Sequence, residues 1–265
     1  MKIEKLFFLI ISIALALGAV FFIPGLRPDQ THDLPEEEFG IFPIADENKA
    51  VDQVEVGQEF IDDQPVADFN VSVFYSVPFI SQAPSGNWAD ERQSNACEEA
   101  SVYMAISWAK GESIVHTEAE RLMIEISEFE LSKYGEFRDT SAQDTLDWIV
   151  KDFFGYENAW VVEDINTEDI IIELQRGNIV VVPVHGQRLN NPYFTPPGPV
   201  EHKIVITGYD SSTEEFVTND PGTRRGEGMR YSQAVLEGAI RDYATGHKEV
   251  MSEWRTAMIV FSRDI

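Results

Sequence analysis

From Cys97 onward the spacing of apolar side chains changes once, at Gly177, and that change limits the fold more than any other feature. Before it the period is helical. Cys97, Ala100, Ser101, Met104 and Trp108 recur at three- and four-residue intervals and predict a helix over Cys97–Lys110, stopped by Gly111. Further helices are expected over Thr117–Leu131, Ser141–Phe154 and Thr167–Gln175, the last capped by Thr167. After Gly177 the chain turns β-branched. Ile179–Val184 is a continuous apolar run, as in a strand buried on both faces. His202–Tyr209 and Glu215–Thr218 read as the arms of a hairpin, Thr256–Phe261 as a closing strand, and Val71–Phe79 as a strand entering the domain. Helices followed by an antiparallel sheet make the domain α+β.

Three segments follow from composition: an N-terminal anchor or signal (residues 1–27), an acidic linker (28–70) and a folded domain (71–265). The uncharged run Leu6–Ile23, preceded by Lys2 and Lys5, would span about 27 Å as a helix at ~1.5 Å per residue. Lysines in front of it predict one transmembrane helix with the domain outside the cytoplasm. A cleaved signal is the alternative, giving a secreted protein, since Ala14 and Ala16 supply small residues. Thirteen carboxylic side chains against one lysine between Asp29 and Asp68 give a solvated, extended linker. The net charge of −26 repels phosphate backbones and excludes a nucleic-acid partner, while 43% hydrophobic residues exclude a wholly disordered chain.

The single cysteine excludes a disulfide framework and a multi-cysteine zinc site. A calcium-loop beginning at Asp164 fails too, with Asp169 in place of the glycine and Gln175 in place of the bidentate glutamate. No metal or cofactor is expected. Cys97 itself has two readings: a small buried hydrophobe, or a nucleophile whose thiolate is favoured by the first turn of a helix. Among the histidines, His32 and His247 read as solvated, His116 as a residue that precedes a helix and helps to cap it, and His185 as the end of a buried strand. His202 follows a long loop holding Pro192, Pro196, Pro197 and Pro199, the kind of loop that lines sites. A hairpin turn near Ser211-Ser212 then sets His202 opposite Asp220, Pro221 or Gly222. Asp220 reads as a turn-former before Pro-Gly, or as the acceptor that fixes a histidine tautomer.

Four blocks, in order, resemble one family: Val77-Pro78-Phe79-Ile80-Ser81-Gln82, Ala96-Cys97-Glu98-Glu99-Ala100-Ser101, Pro199 to Asp210 around Glu201-His202-Lys203, and Asn219-Asp220-Pro221-Gly222-Thr223. Together they are similar to the bacteriocin-processing, double-glycine-leader cysteine peptidases, and more closely to that family's stand-alone relatives in the papain-like superfamily. The resemblance implies a papain-like fold and a peptide or protein substrate. It implies Cys97 as nucleophile, His202 as general base and acid, Asp220 as orienting residue, and Gln82, with Gln93 as second candidate, as oxyanion donor. Where the family commonly has Gly-Pro after the cysteine, this chain has Glu98 and Glu99. Carboxylates facing the sulfur would raise its pKa; facing away, they would complement the helix dipole. The function expected is a membrane-anchored cysteine peptidase working through a thioester. Acyl transfer by the same residues, or a catalytically weak peptide-binding module on the same fold, are the alternatives.

Overall fold

A computed structural model describes residues 68–246 and 255–263. The apolar run at Leu6–Ile23, the acidic linker up to Ala67, His32 and His247 lie outside the described residues. Among the described residues, no helix is long and apolar enough to cross a membrane.

Seven strands form one antiparallel sheet: β1 (Val73–Phe74), β2 (Ala159–Glu163), β3 (Ile179–His185), β4 (Glu201–Asp210), β5 (Glu215–Asn219), β6 (Met229–Ser232) and β7 (Ala257–Phe261). Their order is β2-β7-β3-β4-β5-β6, with β1 pairing the far end of β4. The apolar runs are continuous because both faces of the sheet are covered. Ile179, Val181, Val205, Ile259 and Phe261 face one core, shared with helices α2 (Cys97–Lys110) and α3 (His116–Tyr134). Val180, Val182, Val184, Ile204, Ile206, Met258 and Val260 face another, closed by α5 (Thr167–Gln175) and α6 (Gln233–Ala239). The period-two alternation of each strand thus feeds two layers.

The expected hairpin is present, with Val205 paired to Asn219 and Ile206 to Thr218 before a bulge between Ile206 and Gly208. Gly208 lets β1 approach: a Cβ there would lie 2.6 Å from the Val73 carbonyl oxygen.

Several expected elements differ. The entering strand shrinks from Val71–Phe79 to β1: the Tyr75 N–H still bonds the Thr207 carbonyl (2.8 Å), but Pro78 has no N–H to donate and the chain beyond leaves the ladder. Single hydrogen bonds stitch it down, from Asn219 Nδ2 to the Val77 carbonyl (3.1 Å) and from the Gln82 N–H to Pro221 (3.0 Å). The helix expected over Ser141–Phe154 is a short α-turn, α4 (Ala142–Asp144), continuing as a π-helix over Thr145–Phe153. Its wider turns bring Trp148 onto Tyr134 (ring centroids 4.2 Å apart) and Phe153 onto Phe129 (5.3 Å). The cap of α5 is Asn166, not Thr167. Its side chain accepts from the Glu168 N–H, and Asp169 reaches back to the Asn166 N–H in a capping box.

Helix α2 is the centre of the molecule and is buried on nearly all sides, not along one stripe. Glu98 and Glu99 go in with it, and Glu130 of α3 joins them, all fully buried. Ser127 Oγ donates to Glu99 Oε1 at 2.8 Å, but Glu99 Oε2 and both Glu130 oxygens have no hydrogen-bond partner among the described residues. Burial first, and then neighbouring carboxylates, push the Glu99 and Glu130 carboxyls well above their usual range.

Two outcomes follow for stability. Asn166→Ala should cost about 1 kcal/mol, read by urea unfolding, because it removes the side-chain half of the capping box. A carboxyl whose pKa is raised on folding stabilises the fold below its unfolded value of ~4.3, and that contribution is lost as pH rises through the folded value. The melting temperature should therefore rise as pH is lowered from 8 to 5. Glu130→Gln, which keeps the shape without a proton to lose, should flatten that dependence and be the more stable protein at pH 8. Identical slopes for the two proteins would contradict this account.

Candidate active site

A cleft of about 780 Å³ opens beside the start of α2, lined by Gln82, Trp88, Cys97, Asp139, Tyr193, Phe194, His202, Gly222 and the Arg224-Arg225 pair, among others. Three segments build most of it, and the loop after α3 adds Asp139. The polar loop before α2 contains α1 (Glu91–Ser94) and gives one wall; the proline-rich loop before β4 gives the other. The exit of β5 closes the floor. Cys97 is the first residue of α2, as expected from Asn95 just upstream, and no side chain caps this helix start.

His202 stands at the beginning of β4 with Asp220 beyond the end of β5, and the hairpin brings them together. His202 Nε2 lies 2.8 Å from Asp220 Oδ1, and both residues are buried. The carboxylate is held from all sides: Oδ2 accepts from Asn191 Nδ2 (2.9 Å) and from the Tyr231 hydroxyl (2.9 Å), while Oδ1 also accepts from the Gly222 N–H (3.0 Å). Burial pushes the Asp220 carboxyl up, but the His202 charge and the hydrogen bonds from His202, Tyr231 and Asn191 outweigh it and hold the pKa below the usual value. The imidazole is fenced by the Phe194 ring, edge-on at 5.4 Å, and by Gly222, where a Cβ would come within 2.9 Å of His202 Cε1. A glycine is required there by contact, not by backbone angle.

Of the two glutamines, Gln82 lines the cleft and Gln93 is not among its lining residues. The Gln82 amide is fixed by donating to the carbonyls of Ser94 (2.8 Å) and Gln93 (3.2 Å), which sets its position relative to the helix start. Gln93 instead turns its amide to Glu120 Oε1 at 2.9 Å. His185 keeps its expected place at the end of β3, whereas His116 is the first residue of α3 and does not cap it, the N-cap being Val115 with no side-chain hydrogen bond; neither histidine lines the cleft.

The surroundings of the sulfur depart from the helix-dipole expectation. Cys97 Sγ lies 2.9 Å from Glu98 Oε2 and donates to it. Burial, the Glu98 and Asp139 charges and this hydrogen bond push the thiol well above its ordinary pKa, against a smaller opposite pull from Lys203. Glu99 is directed away, to Ser127. Asp139, in the cleft wall, is itself pushed up to about 7 by burial and by the Glu98 and Glu201 charges, against the opposing pull of Lys203 and Arg138.

Asn191 and Tyr231, the two further donors to Asp220, could not be read from sequence. They lie in a loop and a short edge strand with no local signal, and their roles exist through contacts 29 and 11 residues away. Lys203 and Tyr243, which bind Glu98, escaped for the same reason. Among the described residues no group of three potential ligands could hold a metal ion.

The family model described as "Peptidase_C39 like family" matches residues 74–249, a stretch that contains the whole cleft. A crystal structure of a Bacillus anthracis protein described as a C39-like peptidase shares 16% identity at a TM-score of 0.47, covering 74% of this chain and 100% of that one. No curated protein matches. With its α+β fold and its match across the folded domain, the chain belongs to the peptidase C39-like family, whose members have a cysteine peptidase-like fold.

Proposed function

We propose that the protein is a cysteine peptidase that cleaves peptide bonds through Cys97, His202 and Asp220 by way of a thioester. The observation that carries this reading is the buried His202–Asp220 hydrogen bond at a cleft that also holds a cysteine at a helix start. With Nε2 donating to Asp220, Nδ1 of the neutral ring is left as the base. That nitrogen takes the thiol proton as sulfur attacks the scissile carbonyl, and returns it to the leaving amine. The first N–H groups of α2 are suited to receive the developing oxyanion, and the Gln82 amide joins them by releasing one of the carbonyls, of Ser94 or Gln93, to which its two N–H groups donate. The walls, with Trp88 and Tyr193 partly exposed and Arg225 over the Tyr193 ring at 5.2 Å, suit a peptide with apolar and acidic side chains. Acyl transfer to an amine would use the same groups. A catalytically weak binding module is the second reading, favoured by the carboxylate against the Cys97 sulfur.

Placement outside the cytoplasm, on a membrane anchor at Leu6–Ile23, belongs to the same proposal and rests on the apolar run and its preceding lysines. Protease added to intact cells should then digest the domain.

A peptide-cleavage screen tests the enzyme reading. Cys97→Ala should abolish turnover, and Asp220→Asn should lower kcat by at least about 10²-fold, because an amide can present an N–H to the ring and disfavour the useful tautomer. Since that amide also faces the Asn191 and Tyr231 donors, activity is to be read per folded molecule. Gln82→Ala should lower kcat about 10²- to 10³-fold with little change in KM, the signature of a group that acts on the transition state. Absence of cleavage by the wild type, with retained peptide binding, would favour the binding module.

A further inference from the structure

The sulfur of Cys97 touches a carboxylate that the Cys-His-Asp scheme does not use. Glu98 Oε2 receives the thiol hydrogen bond at 2.9 Å, while Oε1 receives the Tyr243 hydroxyl at 2.6 Å and lies 3.3 Å from Lys203 Nζ. Lys203 is anchored in turn on the Thr140 carbonyl and over the Tyr243 ring. Glu98 and Lys203 are completely buried. Swinging the carboxylate away would strip a buried ammonium of its counter-charge, so Glu98 is fixed where it is.

We propose that Glu98 is a positioning residue that holds Cys97 as a neutral thiol in the resting protein, and that bound substrate must draw the sulfur from Glu98 towards His202 before attack.

The balance of charges around the sulfur is negative. Glu98 comes from α2 itself, Asp139 from the loop after α3, Tyr243 from the segment after α6, and His202 and Lys203 from β4; Glu99 and Glu130 lie in the layer behind Glu98. Lys203 is the fixed cation of this set, and Glu98 and Tyr243 already engage it. The Glu98 and Asp139 carboxyls favour a proton on sulfur against the smaller pull of Lys203, and burial favours the neutral form. This is the reverse of the helix-start environment that lowers thiol pKa values. The inference rests on the peptidase reading for its second half. In that step the S–H bond breaks and an Sγ–C bond forms to the scissile carbonyl carbon. The proton passes to His202 Nδ1, and the same proton leaves with the amine when the C–N bond breaks. Glu98 gains and loses nothing.

The test is the pH dependence of alkylation by iodoacetamide on the full chain, where Cys97 is the single cysteine and the label is unambiguous. The wild-type rate should follow an apparent pKa above ~8.5, the free-thiol value. Glu98→Gln should move the curve down by at least about one pH unit, so that alkylation at pH 7 is about tenfold faster. Because Glu98→Gln leaves Lys203 unpaired, Glu98→Gln with Lys203→Met serves as the variant that removes both charges, and its curve should also move down. A wild-type thiol titrating well below ~8.5, or curves for both variants superimposed on the wild type, would overturn the proposal. Alkylation needs no peptide substrate. If no peptide is cleaved, the peptidase reading fails while these curves still decide the role of Glu98; if peptides are cleaved and the curves coincide, Glu98 alone is dismissed.

Discussion

Strand β4 is the constraint on which the rest depends. It bonds β3 along one edge and β5 along the other, β1 continues the β3 side at Gly208 and Tyr209, and α2 packs across it. Any shift in its register moves all four neighbours, so two adjacent residues near its beginning are held to a fixed position. One is His202, which meets Asp220 through the hairpin. The other is Lys203, on the Val205 side that faces α2, which meets Glu98. The Ser101 hydroxyl, donating to the Lys203 carbonyl at 3.3 Å, ties the helix to the strand at the same point. Imidazole and thiol are therefore positioned by one helix–strand contact.

That contact explains the unusual polarity of the core. A helix surrounded on nearly all sides has no solvent face on which to place Glu98 and Glu99. Glu98 is compensated by an ammonium and a phenol, whereas burial raises the pKa of the Glu99 and Glu130 carboxyls and so favours their neutral form. Replacing buried polar groups by apolar ones is often neutral or stabilising, so stability by itself gives no reason for carboxyls here. Glu98, which accepts the Cys97 thiol hydrogen bond, bears directly on the electrostatics of that sulfur.

The cleft walls follow a different logic. The loops before α2 and before β4 carry the aromatic rings that line the cleft, the loop after β5 carries Arg224 and Arg225, and all three stand on a frame of buried strands. Loops can vary while the frame keeps Cys97, His202 and Asp220 in place.

The sequence by itself determined the fold class, most of the helices, the central strands and the candidates Cys97, His202 and Asp220. Those features rest on local periodicity, on breakers such as Gly111, and on a hairpin whose partners follow from its turn. The edges were less legible. Strands β2 and β6 close the two ends of the sheet, each has an exposed position, and neither carries a long apolar run. Only the tertiary structure decided that the helix over Thr145–Phe153 widens to π geometry, since that is a response to aromatic partners on α2 and α3. It also separated Gln82 from Gln93, placed Asn191 and Tyr231 on Asp220, and turned Glu98 towards the sulfur with Glu99 away from it. Each of these depends on where a side chain from a distant element comes to rest. A one-dimensional pattern can say that two glutamates follow a cysteine, but the direction of each is set by Lys203, Tyr243 and Ser127, which reach them across 105, 145 and 28 residues of chain.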